Sequence, residues 1–129
     1  MRTHARIRIK AQWGESSDDL QTWDRWIEIQ GASQSDRRKY LPGDATAYVA
    51  VNHALYSQIT QMLVQGKDGA VAVKWGDEDH ASPLHDVTVG DGELLAFCQP
   101  DISAADKIYL EESGGAKSVA TMAIIGSEA

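Results

Sequence analysis

Ala5-Arg6-Ile7-Arg8-Ile9-Lys10-Ala11-Gln12-Trp13 is the stretch that decides the fold class. Apolar Ala5, Ile7, Ile9, Ala11 and Trp13 alternate with Arg6, Arg8, Lys10 and Gln12. Successive side chains of an extended chain point to opposite faces, so a period of two predicts a half-buried strand. Outward from it, Gly14 to Leu20 is a Ser/Asp-rich turn region. Trp23, Ile27 and Ile29 then share one parity while Asp24 and Glu28 take the other, which predicts a second strand. Trp26 sits with the acids. It is either a rim residue or a sign that this strand is covered on both faces.

The same period recurs downstream. Ala45, Ala47, Val49 and Val51 alternate with Thr46, Tyr48 and Ala50 and predict a strand ending near Asn52-His53. Ala54 to Gln65 admits two readings, because Leu55, Ile59, Met62 and Leu63 stand at helical spacing with Gly66 as a stop. A strand from about Ser57 is favoured by Lys67-Asp68-Gly69, since Asp-Gly supplies the positive φ of a tight hairpin turn. Val71, Val73 and Trp75 would form its partner. A second hairpin is expected from Val87 to Val89 through Gly90-Asp91-Gly92 into Leu94 to Cys98, followed by a loop at Gln99 to Ala105. Ile108 and Leu110 mark a strand, Gly114-Gly115 a turn, and Val119 to Ile125 a nearly continuous apolar strand. Gly31 to Asp44 has no periodicity and carries a Pro42-Gly43 turn signal, so residues 31–44 are expected to be a loop or arm. The sum predicts a single all-β domain over residues 1–129. It would be an antiparallel β-sandwich or jelly-roll-like barrel of about eight or nine short strands, with at most one short helix at 54–65.

Composition supports a folded chain and narrows its partners. Of 129 residues, 43% are hydrophobic and 24% charged, ordinary values for a globular domain with one core. The net charge of −7 argues against docking on a nucleic-acid backbone, which needs Lys and Arg to displace counterions. Cys98 is the single cysteine, so no intramolecular disulfide can form, and folding in a reducing cytoplasm is expected. The N-terminal alternation replaces the apolar run of a signal peptide, and no stretch approaches the ~18 apolar residues of a membrane span. Neither a secretion signal nor a membrane partner is expected.

No catalytic group announces itself. Asp77-Glu78-Asp79-His80 with His85 and Asp86 offers metal-ligand types, but the spacing spells neither a calcium loop nor a zinc site, and an exposed acidic loop is the expectation. Cys98 follows Phe97 in an apolar run, where a cysteine packs as a small hydrophobe. The glycines at 90, 92, 114 and 115 fall in short turns and open no phosphate-binding helix. The chain is therefore read as a non-enzyme with no cofactor and no metal. Trp13, Trp23 and Trp75 lie on the apolar parity and are expected in the core. Trp26 is off parity and is a candidate interface residue. Arg37, Arg38, Lys39 and Tyr40 join it as candidates, because a basic cluster suits an anionic partner when it is not simply a solvated loop.

From Tyr48 to Ile125 the order of features resembles small virion proteins of tailed bacteriophages. It runs through Val71-Ala72-Val73-Lys74-Trp75, a Pro83-Leu84 loop and Val89-Gly90-Asp91-Gly92-Glu93-Leu94-Leu95. Lys107-Ile108-Tyr109-Leu110 and a final Val119-Ala120-Thr121-Met122-Ala123-Ile124-Ile125 complete it, about three-fifths of the chain. The strand pair with Trp13, Trp23 and Trp26 lies outside the resemblance. The resemblance implies a non-catalytic structural virion protein, above all a capsid decoration or cement protein binding the assembled particle, or else a tail or head-fibre accessory protein. Such proteins are made in the host cytoplasm, act through capsid or tail protein partners and are commonly homo-oligomers. The residues by themselves also admit a carbohydrate-binding β-sandwich using exposed tryptophans, or a cupin-like metal enzyme using His53, His80 and His85.

Overall fold

The computed structural model describes residues 5–29, 32–42, 48–76, 83–103, 106–113 and 117–129. Among them every regular element is a β-strand and none is an α-helix. β1 (Arg6–Trp13) and β2 (Gln21–Glu28) form an antiparallel two-stranded hairpin that pairs with no other strand. The remaining eight are β3 (Gln34–Tyr40), β4 (Tyr48–Ala50), β5 (Tyr56–Lys67), β6 (Ala70–Trp75), β7 (His85–Val89), β8 (Leu94–Ser103), β9 (Ile108–Ser113) and β10 (Val119–Glu128). They make two four-stranded antiparallel sheets, ordered β3-β10-β5-β8 and β4-β9-β6-β7.

That order has a simple origin. β3 pairs with β10, β4 with β9, β5 with β8 and β6 with β7, as if one long hairpin with its tip between β6 and β7 had been wrapped around a core. The β10–β5 and β9–β6 pairings then zip each sheet together. From β3 onward every connection except β6 to β7 crosses between sheets, which is jelly-roll winding of a sandwich. No pairing among the described strands closes it into a barrel.

The core lies between the two sheets. Met62 and Val64 of β5, Val71 and Val73 of β6, Leu110 of β9 and Met122 of β10 are fully buried. Trp75 meets Phe97 edge to face with ring centroids 4.7 Å apart, the arrangement the ring quadrupoles favour. β10 shows the period of two at its clearest, with Ala120, Met122 and Ile124 buried and their neighbours half-buried.

Several expectations are corrected, each for a physical reason. The loop or arm expected over 31–44 contains strand β3; Gly31 and Gly43-Asp44 lie outside the described residues. Its alternation is invisible to hydropathy because the half-buried positions are Gln34, Asp36, Arg38 and Tyr40. The strand favoured from about Ser57 is present as β5, which starts at Tyr56 after a turn at Ala54-Leu55, and the register shift between Ile59 and Gln61 explains the helical spacing of the segment. One extra residue, Thr60, lets Ile59 and Met62 both reach the core at a spacing of three.

Asp68 (φ 61°) and Gly69 (φ 139°) supply the positive φ expected at 67–69. Yet the strands they join lie in different sheets, because β8 and β10 occupy both edges of β5 and leave none for β6. Gly90-Asp91-Gly92 is likewise a corner between sheets rather than a hairpin turn. The two corners lie side by side: Gly92 N–H donates to the Gly66 carbonyl (2.9 Å), and Asp68 N–H to Asp91 Oδ1 (3.0 Å). The loop expected at 99–105 belongs to β8 as far as Ser103, where buried Ile102 pairs with Ile59.

Candidate interaction surface

The hairpin presents two chemically distinct faces, and its register decides which residues share them. Ile7 stands opposite Ile27, Ile9 opposite Arg25, Ala11 opposite Trp23 and Trp13 opposite Gln21, so all the odd-numbered residues share one face. Trp13 and Trp23 are 49% and 51% exposed there, with Ile9 and Ile27 at 41% and 40%. Both tryptophans were expected in the core, and the structure places them on the surface. Alternation specifies a face but supplies no second layer to cover it. Arg25 is the only charged residue on this face, and its guanidinium lies 5.3 Å from the Trp23 ring.

The even face is polar, and Arg8 and Asp24 on it are paired. Arg8 Nε and Nη2 donate to the two Asp24 carboxylate oxygens at 2.9 and 2.8 Å. The hydrogen bond from Arg8 holds the Asp24 carboxyl below its usual range. Trp26, 54% exposed, lies under the guanidinium groups of Arg6 (4.4 Å) and Arg8 (5.5 Å), so its off-parity position is a cation–π site. Ile29 N–H donates to the Ala5 carbonyl (2.9 Å) and extends the ladder by one rung. At the turn, a Cβ on Gly14 would lie 2.1 Å from the Asp19 carbonyl oxygen, so the chain closes there only with glycine.

The other sequence candidates divide between outside and inside. Arg37 and Lys39 are exposed on β3, which belongs to a different sheet from the strand that carries Trp26. Arg38 and Tyr40 turn inward. Arg38 Nε donates to Asp36 Oδ2 (2.5 Å), and Nη1 donates to Tyr40 Oη (3.3 Å) and to the Asn52 carbonyl, tying β3 to the segment after β4 in the other sheet. Tyr56 Oη donates to Asp36 Oδ1 (2.9 Å) with the Ile124 carbonyl 3.1 Å away. Burial first, and then that bond to Asp36, push the Tyr56 phenol above its usual range. Arg38 is therefore a strut between sheets.

A recess of about 240 Å³ opens at the β4–β5 corner between Asn52, His53, Asp106 and Lys107. His53 is 8% exposed and its Nε2 lies 2.7 Å from the Asp106 carbonyl, which can only accept, so Nε2 carries the proton and donates it. His53 thereby pins one loop to another. His85 stacks on Trp75 with centroids 4.9 Å apart, and residues 77–80 lie outside the described set. Among the described residues no three His, Cys, Asp or Glu side chains converge as metal ligands.

The fold and this surface define a class of molecule: a jelly-roll-wound β-sandwich joined to a two-stranded hairpin with an uncovered apolar face. No family model, no curated protein and no solved structure matches the chain.

Proposed function

We propose that the chain is a non-catalytic structural protein of a larger particle, with the sandwich as its rigid body and the β1–β2 hairpin as its contact. The observation that carries this reading is the exposed face bearing Trp13, Trp23, Ile9 and Ile27. Contiguous apolar surface of this kind marks interaction sites, and tryptophan is among the residues that anchor them. A two-stranded hairpin is also marginal alone in water, so a partner that covers one face would stabilise it.

The particle favoured is the virion of a tailed bacteriophage, with the chain as a capsid decoration or cement protein added after synthesis in the host cytoplasm. A place in the head fibre or tail has the same kind of support. That support is the sequence resemblance, joined by a strand order that recurs in viral capsid proteins but also in lectins and cupins. The step from architecture to particle is an analogy of fold. The test is to purify particles on a density gradient from the source culture and blot for the chain. Recovery in the particle band, lost in a Trp13→Ser/Trp23→Ser variant, is expected. Wild-type protein remaining at the top of the gradient would overturn the reading.

One observation favours a second reading. Trp13 and Trp23 share a face, and such a pair can stack on sugar rings in a carbohydrate-binding module. Glycan-array binding abolished by Trp23→Ala, with no chain in the particle band, would select it.

A further inference from the structure

We infer that the partner covering the odd-numbered face of β1–β2 is the same face of a second copy, packed antiparallel about a two-fold axis. The inference rests on reading the hairpin as a contact element, and it names the occupant.

Register makes this face self-complementary. From the open end to the turn its rows are Ile7/Ile27, Ile9/Arg25, Ala11/Trp23 and Trp13/Gln21. A two-fold axis lying between the copies and across the strands sets each row over its mirror in that series. The Ile9/Arg25 row then meets the other copy's Ala11/Trp23 row, and Trp13 meets the other copy's Ile7. At Trp13 over Ile7 and Ile9 over Ala11 a larger side chain meets a smaller one, as dense packing favours. Arg25, which already lies beside its own Trp23, is brought over the second copy's Trp23. The one charge on the face is thus held between indole faces, where a desolvated guanidinium is well accommodated.

Charge selects the antiparallel arrangement. The open half of the hairpin carries Arg6, Arg8, Lys10 and Arg25 against Asp24 and Glu28. The turn half carries Glu15, Asp18 and Asp19 with no cation. Antiparallel packing brings each acidic turn toward the other copy's cationic half, within a Debye length of about 10 Å. Parallel packing would set the three carboxylates against three more.

The area suffices. With a buried tryptophan worth about 150–250 Å², the exposed fractions of Trp13, Trp23, Ile9 and Ile27, with Ile7 and Ala11, come to on the order of 500 Å² per copy. Both copies together reach about 1,000 Å², the lower bound for a specific interface. The product is a two-layered unit of four strands, beyond the marginal size of an isolated ribbon.

Sedimentation velocity on the full chain from about 1 to 100 μM tests the pairing. A dimer is expected at tens of micromolar, with Trp23→Ser weakening it about tenfold or more and Trp26→Ser, on the opposite face, leaving it unchanged. Because β1 and β2 pair with neither four-stranded sheet, both variants should keep the wild-type melting of the sandwich. Should Trp23→Ser disorder the hairpin, Arg25→Glu preserves the apolar residues and should still weaken the dimer. Replacing Glu15, Asp18 and Asp19 by Lys lowers the repulsion between two chains of charge −7, yet it should loosen an antiparallel dimer. A monomer at 100 μM, a trimer, or a dimer indifferent to Trp23 and Arg25 would overturn the inference. Its failure is separable from that of the particle reading. A monomer found in the particle band overturns only the pairing, and a dimer absent from that band overturns only the particle.

Discussion

β1 and β10 both place apolar residues at every second position and end in opposite environments. Ile7, Ile9, Ala11 and Trp13 alternate with polar residues, and Ala120, Met122 and Ile124 take every second position of a strand whose intervening residues are Thr121, Ala123 and Ile125. Yet Met122 and Ile124 are buried, while Ile9 and Trp13 stay 41% and 49% exposed. Neighbours make the difference. β10 has β3 and β5 on its two edges and the other sheet over its inner face, whereas β1 has β2 on one edge and, among the described residues, no second layer. A period of two therefore specifies a strand and an apolar face, and the rest of the chain, or a partner, decides whether that face meets protein or water.

The largest expected contrast comes from deleting side chains on the two apolar faces. Met122→Ala should cost about 2–5 kcal/mol in urea unfolding, since it leaves a cavity in a packed core. Ile9→Ala should shift the same transition by less than about 0.5 kcal/mol. Equal effects would show that the hairpin and sandwich unfold as one cooperative unit.

Glycine closeness gives the next contrast. A Cβ on Gly126 would lie 2.2 Å from the Gln58 carbonyl oxygen, at the irregular β10–β5 register, so Gly126→Ala should cost the sandwich about 1–3 kcal/mol. Gly14→Ala meets an equally close carbonyl, that of Asp19, but should act on the hairpin alone. Faster amide exchange in residues 6–28 with no change in β10 is the expected readout.

Arg38→Met should cost about 1–2 kcal/mol, because it leaves Asp36 and the Asn52 carbonyl short of a donor, and thermal melting would show it. Arg37→Met, one residue away and facing outward, should be silent.

The smallest effect is on pH. Asp24 is held below its usual carboxyl range by Arg8, so the pair's contribution is complete above the ordinary carboxylate pKa and is lost as pH falls through the lowered value. On acidification, amide protection, corrected for the intrinsic slowing of exchange at lower pH, should fall in β1 and β2 before β10 responds, and Asp24→Asn should abolish that early step.

Strand positions were largely legible in the chain, because alternation is a local consequence of backbone geometry. β3 escaped since its inward residues Asp36, Arg38 and Tyr40 satisfy one another instead of being apolar. Pairing was less legible. The positive φ of Asp68-Gly69 was read correctly but the hairpin expected from it was not, because the partners of β5 lie far away in sequence, in β8 and β10. The candidate surface was not legible in the chain. Trp26 stood out by parity but lies on the polar face of the hairpin, whereas Trp13 and Trp23, which form the exposed apolar face, looked like core because their local pattern is that of core residues.

By itself, then, the sequence determined an all-β chain, the faces of most of its strands and the turns between them, since these follow from side-chain alternation and local φ preferences. Only the tertiary structure decided that eight strands wrap into two sheets while the first two remain a separate ribbon. Which apolar face finds another to cover it is a property of long-range packing, and no single segment carries that information.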